Sequence, residues 1–346
     1  MSNKNSANPN RREFLAAAGA ATAATVMAGS PIMAQQQPES NESTTKSKQP
    51  IIDGHSHMLM DGGSKHKVSD LTEVDIPKLF KTMDDYGIEM FVSVVQETQR
   101  VWGDWTGTNE LIVDLQKKYP KRFRGIFGAE GLDKNDVFNK KRFEEFKVAV
   151  KEHGISGLWF GPPYQHIAAN DRRIYPFYEF AEENNVIVYY HHGGGVGAGG
   201  GSANSAPLKY ARPILLDDVV IDFPDLKMMI EHMAYPWTEV LIALMNHAPN
   251  VYMDVTELFR RPTILAWYIM MAKEYGVIDR VLWGSDYDVY WSDNNDPSRY
   301  FRKVESETSW LKKELNMICK RAGWSTLTQD EINGILYGNA KKLWKL

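Results

Sequence analysis

The chain has 346 residues, with 40 Lys and Arg against 44 Asp and Glu, a net charge of −4, and 43% apolar and 24% charged residues. This is ordinary globular composition, long enough for a sizeable core, and it lacks the basic excess that nucleic acid or an anionic membrane would call for. A single cysteine, Cys319, excludes both a disulfide framework and a cysteine-based metal cluster within one chain.

At the start, "NRREFLAAAGAATAATVMAG" places Arg11-Arg12 ahead of Phe14-Leu15 and an Ala-rich run. A charged region followed by a short apolar one reads as an export signal, and paired arginines at that junction read as a twin-arginine signal, here over residues 1–34. The apolar run is too short and weak for a stable membrane span. The expected partner is the twin-arginine export machinery, and the expected location is periplasmic or secreted. Residues 35–49, "QQQPESNESTTKSKQ", have almost nothing to bury and read as a disordered linker. The folded domain is expected over 50–346.

From there, β-type runs alternate with helical patterns. "PIIDGH" (50–55) precedes a helix at 74–87, "IEMFVSVV" (88–95) one at 109–120, and "RFRGIFGA" (122–129) one at 140–154. "ISGLWF" (155–160) precedes a helix at 174–185, "VIVYYH" (186–191) one at 208–224, and "LKMMIEH" (226–232) one at 237–249. "NVYMDV" (250–255) precedes a helix at 263–276, and "RVLWGS" (280–285) leads into the C-terminal helical segments. Eight strand–helix units with apolar strands predict an α/β fold, a (β/α)8 TIM-like barrel of parallel strands. Chemistry in such a barrel belongs at the C-terminal ends of the strands.

Polar residues fall at those ends. His55 and His57 close the first run, His191 the fifth and His232 the sixth, and Asp286 follows the eighth. Residues i and i+2 of a strand share a face, so both imidazoles of His55-Ser56-His57 enter the mouth together. With His191 and Asp286 they make a nitrogen and oxygen donor set for one divalent cation, Zn²⁺ first, with Mn²⁺ and Fe²⁺ as alternatives. Alternation favours His191 over His192 as the ligand. A Gly-x-Gly-x-x-Gly stands at Gly195–Gly200. The glycines run on into "GSANSAP" instead of opening a helix, so they read as a loop able to close over substrate and not as a dinucleotide site. Trp102, Trp105, Tyr164 and Tyr287, with Tyr290 and Trp291, give an aromatic mouth suited to a cyclic small-molecule substrate. Arg260 and Arg261, after the seventh strand, are candidates to hold a substrate carboxylate.

These stretches together resemble the amidohydrolase-related metal enzymes, in the branch of aminocarboxymuconate-semialdehyde decarboxylase. The resemblance rests on "IIDGHSH", "GISGLWFGPPYQ", "VIVYYHHGGG", "FPDLKMMIEH", "NVYMDVTEL", "DRVLWGSDYD" and "EINGILYGNAKKLW", and spans about 50–346. It implies that His55, His57, His191 and Asp286 bind one metal and that His232 lies beside the metal-bound water or substrate. Two-metal relatives use a strand-four lysine, whereas this chain has Trp159 near that place. The resemblance further implies a homodimer. Its activity is either hydrolysis of a small cyclic or carboxyl-bearing substrate, or non-oxidative decarboxylation of an aromatic or unsaturated carboxylate. Asp286 and His232 then handle the protons. A rival of another class is an exported protein that binds the metal without turnover.

Overall fold

Eight short strands alternate with helices from Ile51 onward, and each strand pairs in parallel with its neighbour in the chain. The structure, a computed structural model, describes residues 49–58, 76–102, 108–193, 206–289 and 298–346. The elements run β1 (Ile51–Met58), α1 (Ile76–Tyr86), β2 (Ile88–Val94), α2 (Gln99–Trp102), α3 (Asn109–Lys118), β3 (Phe123–Gly128), α4 (Lys140–His153), β4 (Gly157–Phe160), α5 (Pro162–Gln165), α6 (Tyr175–Glu183), β5 (Ile187–Tyr190) and α7 (Leu216–Asp222). They continue with β6 (Met228–Ile230), α8 (Thr238–His247), β7 (Val251–Asp254), α9 (Pro262–Glu274), β8 (Val281–Leu282), β9 (Asp288–Val289), α10 (Ser298–Ser309), α11 (Leu315–Ala322), α12 (Gln329–Asn333) and α13 (Asn339–Trp344). The order across the sheet is β8-β7-β6-β5-β4-β3-β2-β1-β9. Past β8 the backbone turns back onto β1: Gly54 N–H donates to Trp283 O at 3.2 Å, and Asp286 N–H donates to His55 O at 2.7 Å. These bonds and the β1–β9 pairing at His57 and Asp288 bring the two edges together. The result is the expected (β/α)8 barrel. Among the described residues no helix is long and apolar enough to cross a membrane.

Two apolar layers hold the barrel. Ile52, Met90, Val92, Ile126, Trp159, Ile187, Tyr189, Met229, Tyr252 and Leu282 fill the inside, joined by Leu343 and Trp344 from α13. Val188, Tyr190, Met228 and Ile230 pack outward with the helices. On β5 the alternation is clean: Ile187 and Tyr189 face in, Val188 and Tyr190 face out. β1 breaks its own alternation. Ile52 faces in, and register irregularities lie between Ile51 and Ile52 and between Asp53 and Ser56. Such a bulge shifts parity, which lets the odd-numbered His55 and His57 also turn inward.

Several boundaries differ from the sequence expectation. β1 runs on to Met58, so His57 lies inside the strand. The single helix expected over 208–224 is instead two 3-10 turns, Leu208–Tyr210 and Pro213–Leu215, followed by α7. Pro213 lacks the N–H that a continuous helix needs. The export signal expected over 1–34 and, except for Gln49, the linker expected over 35–49 lie outside the described residues. So do Gly194–Gly201, His66, Trp105, Tyr290 and Trp291.

Candidate functional site

His55 and His57 meet Asp286 at the mouth of the barrel. His55 Nε2 lies 3.4 Å and His57 Nε2 3.1 Å from Asp286 Oδ1. The opposite nitrogen of each ring is held from behind. His55 Nδ1 is 2.9 Å from Asp254 Oδ2, and His57 Nδ1 is 3.0 Å from Val94 O. A carboxylate and a carbonyl only accept, so both Nδ1 atoms carry a proton, and each Nε2, turned toward Asp286, is the atom that would offer its lone pair to a cation. His55 Nε2 is buried with no hydrogen-bond partner. Ligand atoms about 2.0–2.2 Å from one ion stand roughly 3–3.5 Å apart, so this trio has the spacing of a cation's donor set. Gly284 makes the approach possible, because a Cβ there would lie 2.7 Å from both Cβ and N of His55.

Asp254, at the end of β7, ties the site together. Its Oδ1 accepts from His232 N–H at 2.9 Å, from Thr256 N–H at 3.0 Å and from the Thr256 hydroxyl. That hydroxyl has then given its only proton, so at 2.6 Å it accepts from His232 Nδ1–H. His232 Nε2 is thereby the free lone pair. Burial, outweighing the nearby carboxylates, lowers the pKa of His232 below the usual histidine range and keeps it neutral. The chain leaves β6 in an unusual way: His232, Met233 and Ala234 all have positive φ, at 56°, 52° and 49°. Left-handed backbone at a non-glycine residue costs roughly 1–3 kcal/mol. Glu257 (φ 59°) and Asp286 (φ 48°) share it beyond β7 and β8. In this turn two consecutive side chains, Glu231 and His232, both reach the site.

Glu231 is fully buried between three histidines. Its Oε2 lies 2.9 Å from His191 Nδ1 and 4.0 Å from His232 Nε2, and its Oε1 lies 3.6 Å from His55 Nε2. Trp159 donates its indole N–H to Oε1 at 3.1 Å. His191 therefore stands with Glu231 and His232, apart from the trio formed by His55, His57 and Asp286. Burial disfavours charge on His55, but Glu231, Asp254 and Asp286 outweigh it and raise its pKa well above the usual range. Burial likewise opposes charge on Asp286, yet His232, His55 and His57 hold its pKa far below that of an ordinary carboxyl. The pocket is thus built to hold positive charge. His192 follows Tyr190 outward, its ring 5.7 Å from that of Tyr190, and burial pushes its pKa down to about 4. The expected preference for His191 as the site residue agrees with this alternation.

The expected substrate residues are scattered. Tyr164 is at the site, its ring 4.5 Å from His191, and burial together with the Asp286 and Glu231 charges raises its pKa, so its phenol stays protonated. Tyr287 packs its ring 5.5 Å from Tyr300, on the helical side. Arg260 is exposed and 3.4 Å from Glu257, and Arg261 lies over the Tyr235 ring at 5.3 Å. Trp102 ends α2, and its side chain lies outside what the structure describes. Sequence reasoning passed over Glu231, Asp254 and Thr256. The available signal was an acid closing an apolar run, in "MMIEH" and "VYMD".

The amidohydrolase family description matches residues 52–346. The chain belongs to the amidohydrolase family. No curated relative matches it. Solved structures share the amidohydrolase fold at low identity. An uncharacterised TIM-barrel protein of Bordetella bronchiseptica is 22% identical with a TM-score of 0.58, over 86% of this chain and 98% of that one. A probable 2-pyrone-4,6-dicarboxylic acid hydrolase of Acinetobacter baumannii is 16% identical with a TM-score of 0.52, over 86% and 99%. A 5-carboxyvanillate decarboxylase of Novosphingobium aromaticivorans, complexed with manganese and a nitrobenzoic acid, is 12% identical with a TM-score of 0.53, over 90% and 100%.

Proposed function

We propose that this amidohydrolase is a metal-dependent hydrolase of a small cyclic or carboxyl-bearing substrate, exported by the twin-arginine route. The observation that carries the catalytic reading is the convergence of His55 Nε2 and His57 Nε2 on Asp286 Oδ1, each ring held from behind at Nδ1. The cation assigned to this set, with His191 as its fourth ligand, is Zn²⁺, with Mn²⁺ and Fe²⁺ as alternatives. When bound, it supplies Lewis-acid chemistry, polarising a substrate oxygen and acidifying water. Asp286 accepts the proton from the attacking water and returns it to the leaving group. His232, neutral and with Nε2 free, orients that water or donates to the developing oxyanion once protonated. Tyr164 keeps its proton and donates to a substrate oxygen. Arg11-Arg12 ahead of the Ala-rich run support export.

A second reading, non-oxidative decarboxylation of an aromatic or unsaturated carboxylate, draws on the Tyr164 ring beside His191 and on the decarboxylase with the same fold. The test is mass spectrometry after incubating metal-loaded protein with lactones, amides, esters and aromatic carboxylates, with His57→Ala as control. A product heavier by one water, or two fragments summing to that, supports hydrolysis. A product lighter by one carbon dioxide replaces it with decarboxylation. Tight cation binding with no turnover across a broad panel favours a metal-binding protein without catalysis.

A further inference from the structure

Glu231 has no role in the reading above, yet it is one of the most constrained side chains in the barrel. Its relative exposure is 0%. Each oxygen has one close donor: Trp159 Nε1–H to Oε1 at 3.1 Å, and His191 Nδ1 to Oε2 at 2.9 Å. The left-handed turn at His232–Ala234 lets Glu231 share the site with its neighbour His232. An isolated buried carboxylate is costly, so its two donors are bound to it as firmly as it is to them. A carboxylate facing a ring nitrogen fixes the tautomer: the near nitrogen carries hydrogen, and the far one is left with a lone pair. His55 is treated in the same way by Asp254.

We propose that Glu231 is the positioning residue that makes His191 a donor, anchored by the Trp159 indole, accepting the His191 Nδ1–H bond and leaving Nε2 as the available atom at the mouth. This rests on the reading of the site as a metal centre. The strand-four tryptophan then has a definite part. Its N–H forces Oε1 to be an acceptor, so both oxygens of residue 231 must accept.

Glu231→Gln preserves shape and breaks that requirement. If the amide oxygen faces His191, the NH₂ meets the Trp159 N–H. If the NH₂ faces His191, the ring must move its hydrogen to Nε2. Either way Zn²⁺ affinity, measured by chelator competition, is expected to fall about 10–100-fold. Adding Trp159→Phe removes the competing N–H, lets the amide oxygen face His191, and is expected to restore most of that loss. A merely structural role predicts the reverse, a double variant worse than either single one. A second readout needs no cation: long-range nitrogen–proton NMR of His191 in metal-free protein shows Nδ1–H in the wild type and a changed pattern in Glu231→Gln. Unchanged affinity with an unchanged tautomer in Glu231→Gln overturns the proposal, as does failure of Trp159→Phe to rescue. Two cations per wild-type chain, falling to one in Glu231→Gln, also overturns it, since Glu231 is then itself a ligand. A wild type that binds no cation, with the His191 tautomer still dependent on Glu231, sinks the metal reading and leaves the tautomer control standing.

Discussion

Asp254→Asn is the most informative single change behind the site. The carboxylate serves four donors: His55 Nδ1 at 2.9 Å, His232 N at 2.9 Å, Thr256 N at 3.0 Å, and the Thr256 hydroxyl. An amide of the same shape offers one acceptor and one donor. With its oxygen toward the two backbone N–H groups, its NH₂ faces His55 Nδ1. His55 must then carry hydrogen on Nε2, the atom aimed at Asp286. With its oxygen toward His55, its NH₂ opposes His232 N–H and Thr256 N–H, and the strained turn that sets His232 loosens. Neither orientation keeps the site. Removing a partner behind a metal ligand costs about 10–100-fold in affinity, or about 1.4–2.8 kcal/mol. Competition against a zinc chelator measures this, with His247→Ala as control, because His247 is a surface residue paired only loosely with Asp217 at 3.6 Å. Affinity within twofold of wild type in Asp254→Asn would refute the claim that Asp254 sets the His55 tautomer.

Glu130 is buried beside Glu97, and burial raises its pKa to about 7. A raised carboxyl favours the fold while it is protonated, so its contribution is complete below the ordinary value of 4.5 and is lost as pH rises through about 7. Glu130→Gln should therefore gain about 1–3 kcal/mol on wild type between about pH 5 and pH 8, read by chemical denaturation at each. An equal pH slope in the two proteins counts against this. Gly284→Ala puts a Cβ 2.7 Å from His55 Cβ and backbone N, so β1 must shift. We expect a loss of roughly 1–3 kcal/mol and weaker cation binding, and unchanged unfolding would show that the approach is slack. His192→Leu should leave cation affinity within twofold of wild type, since His192 faces the helical layer. A large loss would reassign the pair.

The barrel was legible because its signals are local and repeated. Each apolar run is bounded by helix-forming segments, and parallel pairing of successive runs needs no further information. The strand-end histidines were legible for the same reason, since barrel architecture says where to look and few histidines compete. Alternation along "VIVYYHH" separates His191 from His192, and the inward Ile187 and Tyr189 agree with it. β9 was not legible, because two residues of strand beyond a "WGSDYD" loop carry no periodicity. The break at Pro213 was written in the sequence but was outweighed there by the apolar pattern of "PILLDDVV".

Glu231 was harder to choose than Asp254, for a deeper reason. Alternation predicts that adjacent residues face opposite ways, so choosing His232 as a site residue excluded Glu231. Three successive left-handed residues cancel that rule, and nothing in "EHMAYP" announces them: none of the three is glycine, the residue that adopts such angles without penalty. The conformation persists because Asp254 takes the His232 N–H and Thr256 takes its Nδ1–H, contacts that exist only once β7 lies beside β6. The strain and its compensation thus arise on different strands. A one-dimensional reading finds the atoms aimed at a substrate and misses those that aim them, because the aiming atoms are chosen by strand neighbours and not by sequence neighbours. It follows that substitutions at Glu231, Asp254 and Thr256 should weaken the site at distances where no contact with substrate exists. Their effects should also be non-additive, since all three act through His191, His55 and His232.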